Sequence, residues 1–465
     1  MTPRRTAVSR LLGSAIALAV LLVAAIGMDN WGDLLGSPPQ AAPSAPDARP
    51  AAQRVAQGAV LARAGNCVAC HSAQGGAPLA GGRPIETPFG TVYTSNLTPD
   101  PDTGLGRWQV EDFRQALQRG RAPGGRLLIP AFPYEHTRVM TLQDMDDVWA
   151  WLQTQPPVHQ PTPAHTLRWP YGTQAALAVW RSLFLSDTPW QADPARSAEW
   201  NRGAYLVQGL GHCAACHSPR NALGANGGIA DLSGGRMPGQ GWYAPSLVDP
   251  RETGLAEQSI EEIVALLQTG RNRSASTLGP MGEVVQHGLQ HLPEADLRAM
   301  AVYLQARAQD PNEPRAAQAA RRGPGDWLRS LGNAQPKPRA PEPAPAAVTA
   351  LGLSVYKAHC ADCHGERGEG QPGRWPPLAG NRAVLLDDPS NLMQVVMHGA
   401  YAPVTRGQPR PYGMPPYQLT LQDAELAAVL TVIRQDGLAE GPSRRQLAPQ
   451  VTPLQVRQWR ETDGH

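Results

Sequence analysis

Cys67-Val68-Ala69-Cys70-His71 returns as Cys213-Ala214-Ala215-Cys216-His217 and again as Cys360-Ala361-Asp362-Cys363-His364. Two thiols three residues apart, followed at once by an imidazole, form the attachment signal for c-type haem, in which the sulfurs bond the porphyrin and the histidine ligates iron. A Cys-x-x-Cys pair alone could be half of a zinc site or a dithiol redox pair, but neither chemistry requires the histidine present in all three copies. The chain has 6 cysteines and the three motifs use all of them, which leaves none for a disulfide or a separate metal site. The sequence therefore predicts three covalent haem c groups. They would be attached through Cys67, Cys70, Cys213, Cys216, Cys360 and Cys363, with His71, His217 and His364 as proximal iron ligands.

Spacing turns this motif into a domain plan. Cys67 and Cys213 stand 146 residues apart and Cys213 and Cys360 stand 147 apart, so 465 residues divide into three consecutive units. With 47 Gly and 47 Pro, each unit is expected to wrap a few short helices and long loops around a flat prosthetic group that supplies apolar surface a small domain lacks. The expected fold is mainly α, three tandem cytochrome c-type domains at residues 52–155, 198–308 and 348–438. A connector covers 156–197, a Pro/Ala/Arg-rich linker with Trp327 and Leu328 covers 309–347, and a polar, uninformative tail covers 439–465. Helical periodicity places middle helices at 110–119, 260–267 and 391–398, and closing helices at 142–152, from Leu292-Pro293 onward in unit two, and at 421–434.

The amino terminus carries Arg4, Arg5 and Arg10 and then 18 uncharged residues, 11–28. This reads as a signal anchor in preference to a cleaved signal peptide, because the run ends without a clear Ala-x-Ala. Arginines on the amino side keep that end in the cytoplasm, so the remainder is expected on the periplasmic side of the bacterial inner membrane, raised by a linker at 29–51. A net charge of +2 excludes a global nucleic-acid role.

Electron-transfer cytochromes commonly complete the iron with methionine, whose thioether favours the ferrous state. Met145, Met300, Met393 and Met397 fall inside expected helices and read as core. Outside expected helices, Met414 lies in a Gly/Pro-rich loop ahead of the last helix. Met281 holds the same relative place and is preferred to Met237, and Met140 directly precedes the closing helix of unit one. Met140, Met281 and Met414 are thus the expected sixth ligands, with His136 competing in unit one and His287, His291 and His398 elsewhere. Both axial positions filled by protein leave no open iron, so a relay is expected. The alternatives are a stand-alone haem enzyme of peroxidase or sulfur-oxidising type, or a haem-based sensor, for which no signalling module is visible.

Residues 80–90 (AGGRPIETPFG), 130–134 (PAFPY), 209–220 (GLGHCAACHSPR), 241–245 (GWYAP) and 376–381 (PPLAGN) add a family resemblance. Over about residues 52–437 the chain resembles the triheme cytochrome c subunits of membrane-bound bacterial dehydrogenases, typified by those of alcohol and gluconate dehydrogenase. The resemblance implies an electron-transfer subunit rather than a catalytic one. It also implies a partner catalytic subunit, whether quinoprotein, flavoprotein or molybdenum hydroxylase, and delivery of electrons to ubiquinone or a terminal oxidase.

Overall fold

The computed structural model describes residues 47–185, 190–237, 239–310, 342–435, 438 and 448–462. Each unit is built on a crossing of its leading and closing helices: Ala51–Ala64 on Leu142–Leu152, Ala198–Gln208 on Glu294–Gln309, and Ala346–His359 on Asp423–Arg434. A glycine makes each crossing close. A Cβ at Gly58 would lie 1.9 Å from the Asp147 carbonyl oxygen, one at Gly203 2.0 Å from that of Ala299, and one at Gly352 2.4 Å from that of Ala428. Backbone therefore meets backbone at all three, which no larger residue allows.

Between the crossing helices runs a middle helix, Val110–Arg119, Ile260–Thr269 or Ser390–His398. The first two carry capping boxes, from Gln109 with Asp112 and from Ser259 with Glu262, that satisfy amide groups at their first turns. The helices expected at 110–119 and 142–152 have those bounds, and the closing helix of unit two takes Pro293 as its N-cap. Three short antiparallel hairpins were not foreseen. They pair Pro84–Thr87 with Gly90–Tyr93, Gly235–Met237 with Trp242–Ala244, and Ala400–Tyr401 with Gly413–Met414.

Units one and two share one apolar core, joining Leu61, Met145 and Val148 to Leu206, Leu297 and Tyr303. Unit three has its own, centred on Tyr356, Met397, Leu426 and Leu430. Polar contacts link it to unit two: Asn391 Nδ2 donates to the Tyr243 carbonyl at 2.7 Å, and Asn391 Oδ1 accepts from the Tyr243 amide at 2.8 Å.

The segment after 438 departs from expectation. Helix Pro453–Thr462 packs on the closing helix of unit three, with Val451 and Val456 buried in its core and Trp459 against it. Arg460 donates to Asp423 Oδ1 at 2.8 Å, and the buried Arg434 donates to the Pro449 carbonyl at 2.6 Å. Two buried apolar residues five apart, Val451 and Val456, with Trp459 three beyond, were too sparse a pattern to read as a helix face. In the connector, Thr166 and Arg168 donate their amides to Thr91 and Phe89, and a further helix, Gln174–Phe184, buries Leu177 and Phe184. No helix among the described residues is long and apolar enough to cross a membrane. The run at 11–28 and most of the linkers at 29–51 and 309–347, with Trp327 and Leu328, lie outside the described residues.

Candidate haem attachment sites

Each motif closes one turn of helix. The amide of His71 donates to the Cys67 carbonyl, that of His217 to Cys213 and that of His364 to Cys360, each at 2.9 Å. One turn brings positions i, i+3 and i+4 to the same side, so both thiols and the imidazole of each motif share a face.

The imidazoles are held alike. His71 Nδ1 lies 2.8 Å from the Ser95 carbonyl oxygen, His217 Nδ1 2.6 Å from that of Pro245 and His364 Nδ1 3.0 Å from that of Pro376. A carbonyl can only accept, so Nδ1 carries the proton and Nε2 keeps its lone pair for a metal. Burial holds all three imidazoles below the ordinary histidine range, which favours the neutral form a ligand needs.

A glycine completes each arrangement. The amides of Gly81, Gly234 and Gly370 donate to the carbonyls of His71, His217 and His364 at 2.7, 2.8 and 2.7 Å. All three glycines have positive φ, 76°, 79° and 68°. Their missing Cβ atoms would fall 2.5, 2.6 and 2.6 Å from the backbone at Ser95, Ser246 and Pro377, in the segments that orient the imidazoles. Sequence reasoning passed over these glycines because a left-handed glycine in a loop looks like any turn. They stand 10, 17 and 6 residues after their histidines, so no constant spacing marked them.

The thiols are free, and burial pushes Cys67 and Cys213 up to about 12 and Cys360 up to about 11. Dithiol oxidoreductases need the opposite, a lowered thiol. Among the described residues no three His, Cys, Asp or Glu side chains gather into a metal cage. Paired free thiols beside a neutral, oriented imidazole fit haem c at all three motifs.

The methionines divide as follows. Met145, Met300, Met393 and Met397 are buried in helices, as core residues are. Met140 is 4% exposed and directly precedes Thr141, the N-cap of the closing helix. Met414 lies in the last hairpin, partly buried against the core of unit three. Met281 was expected outside a helix, but helix Pro280–His287 places it in the first turn, where proline at the first position and Gly279 with φ 48° start the helix. Of the competing histidines, His136 has both ring nitrogens engaged, Nδ1 2.8 Å from the Gln208 carbonyl and Nε2 3.2 Å from Asn226 Nδ2. His287 and His398 are exposed, and His291 is half-buried.

Comparison with known proteins adds the lineage. Residues 55–156 and 349–435 match the cytochrome c family. The alcohol dehydrogenase (quinone) cytochrome c subunit of Gluconobacter oxydans is 36% identical over 82% of this chain and 78% of its own. The gluconate 2-dehydrogenase cytochrome c subunit of Pantoea cypripedii is 35% identical over 82% and 85%. A nicotinate dehydrogenase subunit of Pseudomonas putida is 38% identical over 86% of this chain, which spans only 32% of that longer relative. The chain belongs to the cytochrome c subunit family of membrane-bound alcohol and gluconate dehydrogenases. In this cytochrome c subunit the three cysteine pairs are consistent with three covalent haem c groups, and unit two repeats unit one at its attachment site. Arg83 donates to the Ala69 carbonyl at 2.8 Å and Arg220 to the Ala215 carbonyl at 2.6 Å, each bracing the residue before the second cysteine.

Proposed function

We propose that the chain is a periplasmic triheme relay that takes electrons from a partner dehydrogenase and passes them to ubiquinone or a terminal oxidase. The observation that carries this is the threefold imidazole arrangement, in which each Nδ1 proton is committed to a carbonyl and each Nε2 is left for iron. Haem c bound at each motif would supply reversible one-electron chemistry. Cys67 and Cys70, Cys213 and Cys216, and Cys360 and Cys363 would hold it covalently. The carbonyls of Ser95, Pro245 and Pro376 fix the tautomer and angle of the proximal ring, and the apolar cores exclude water, which limits reorganisation around the metal.

Met140, Met281 and Met414 are proposed as the sixth ligands. The engagement of both nitrogens of His136 supports Met140 over its competitor. With both axial positions filled, the chain would exchange electrons without binding substrate at iron. Identities of 38%, 36% and 35% to relatives named for nicotinate, alcohol and gluconate dehydrogenases support leaving substrate choice to a catalytic partner. The arginines at 4, 5 and 10 and the apolar run 11–28 support an anchor in the inner membrane.

A pyridine haemochrome assay with intact mass should find three haems per chain, and two or fewer in mature protein would overturn the reading. Stopped-flow mixing should show fast reduction by substrate only when the co-purified catalytic subunit is present. Substrate-driven reduction of the cytochrome alone would favour a stand-alone haem enzyme.

A further inference from the structure

The segment that carries Met140 is held in part by unit one, where Thr137 donates to the Leu117 carbonyl at 2.6 Å, and in part by unit two. Tyr205, on the leading helix of unit two, accepts a hydrogen bond from the Thr141 amide at 3.0 Å, and its hydroxyl donates to Asp144 Oδ2. One turn further along, the Gln208 carbonyl accepts from His136 Nδ1 at 2.8 Å. Gly209 follows, and a Cβ there would lie 3.2 Å from Val139 Cγ1. Residues 136, 139, 141 and 144 thus all face one helix end of the neighbouring unit. Burial and the Asp144 carboxylate push the Tyr205 phenol up, so it keeps the proton it donates. Its ring is fixed independently, against Trp190 at 5.3 Å between centroids and under the Arg202 guanidinium at 5.7 Å.

The tyrosine is not part of the threefold plan. Counting from the crossing glycines, the place held by Tyr205 two residues after Gly203 is held by Val60 after Gly58 and by Ser354 after Gly352. Neither of those side chains carries a phenol.

We infer that Tyr205 of unit two is a positioning residue for the sixth ligand of unit one, clamping the Thr141 amide and Asp144 so that Met140 is presented at a set place and stays there. This rests on the reading of Met140 as an iron ligand. A loosened segment would let its thioether leave the iron more readily, so the clamp controls how easily an outside base replaces it.

The test uses the full-length holoprotein and imidazole as the probe. Titrating ferric protein with imidazole, while following the sulfur-to-iron absorbance near the red edge, resolves how readily each methionine is displaced. Tyr205→Phe keeps the ring packing and removes the hydroxyl. It should raise imidazole affinity about tenfold at one site of the three, the change expected from losing about 1.4 kcal/mol of hydrogen bonding. It should also shift one of the three reduction potentials and leave the other two. Asp144→Ala removes the other end of the same bond and should move the same site in the same direction by a smaller factor. Met140→Ala should abolish that site's absorbance, about one third of the total. If Met140→Ala abolishes it while Tyr205→Phe and Asp144→Ala leave affinities and potentials unchanged, the clamp is overturned and the ligand stands. If Met140→Ala changes nothing, the ligand assignment fails and the clamp with it.

Discussion

Single residues decide how each imidazole is held. Gly81, Gly234 and Gly370 adopt a left-handed backbone against the segment whose carbonyl accepts from the histidine, so a methyl group at any of them meets main chain. Gly370→Ala should therefore cost about 2 kcal/mol, from the left-handed conformation and the forced displacement together. It should also move the potential of one haem only, because the Pro376 carbonyl that orients His364 is displaced. Thermal unfolding and potentiometric titration of the same variant check both. Gly407→Ala, where nothing lies within 4 Å of the added atom, should leave both unchanged. Arg434 offers a second case: its buried guanidinium donates to the carbonyls of Pro449, Leu386 and Asp387, and burial lowers it to about 10. Lysine cannot span three acceptors with a planar fork, so Arg434→Lys should destabilise unit three by about 2 kcal/mol in denaturant titration.

Helix pairs carry the next level of organisation. The crossings at Gly58, Gly203 and Gly352 bring two backbones together ahead of each motif and so set where the first cysteine emerges. Gly203→Ala should cost about 2–3 kcal/mol by urea unfolding, because the Ala299 carbonyl is backbone and cannot step aside as a flexible side chain would. The helix Pro453–Thr462 adds a further helix to unit three, and its Val456 is 0% exposed. Val456→Asp, which buries a charge with no partner, should detach this helix and lower the melting of unit three while units one and two keep theirs. Differential scanning calorimetry reads this directly.

Over the whole molecule, units one and two form one body with a common core, and unit three joins through polar contacts such as Asn391 on Tyr243. Apolar cores shared across a boundary melt together, whereas polar interfaces between separate cores uncouple more readily. The holoprotein should accordingly unfold in two transitions, one for the first two units jointly and one for the third. A single transition, or three, in calorimetry would contradict this arrangement. Asn391→Ala removes both bonds to the Tyr243 backbone and should separate the two transitions further.

The attachment residues were legible in the sequence because the haem signal is local: thiol, thiol and imidazole lie within five consecutive positions and need no distant partner to be recognised. The helices at Val110–Arg119 and Leu142–Leu152 were legible for the same reason, since an apolar period of 3.6 residues is written along one short segment. Contacts far apart in the chain were not. The carbonyls at Ser95, Pro245 and Pro376 lie 24, 28 and 12 residues beyond their histidines, and nothing in a proline or serine marks its carbonyl as an acceptor. Tyr205 reads as one more helical aromatic until folding sets it 61 residues back in the chain, on Asp144. Val456 and Trp459 look like a polar tail until the closing helix of unit three gives them a groove. The sequence alone determined where the thiols and imidazoles of the three motifs stand and how many times the motif is repeated. Only the tertiary structure decided which backbone groups orient them, that two units fuse while the third stands apart, and that unit two braces the segment before the closing helix of unit one, because those depend on surfaces that exist only once distant segments have packed.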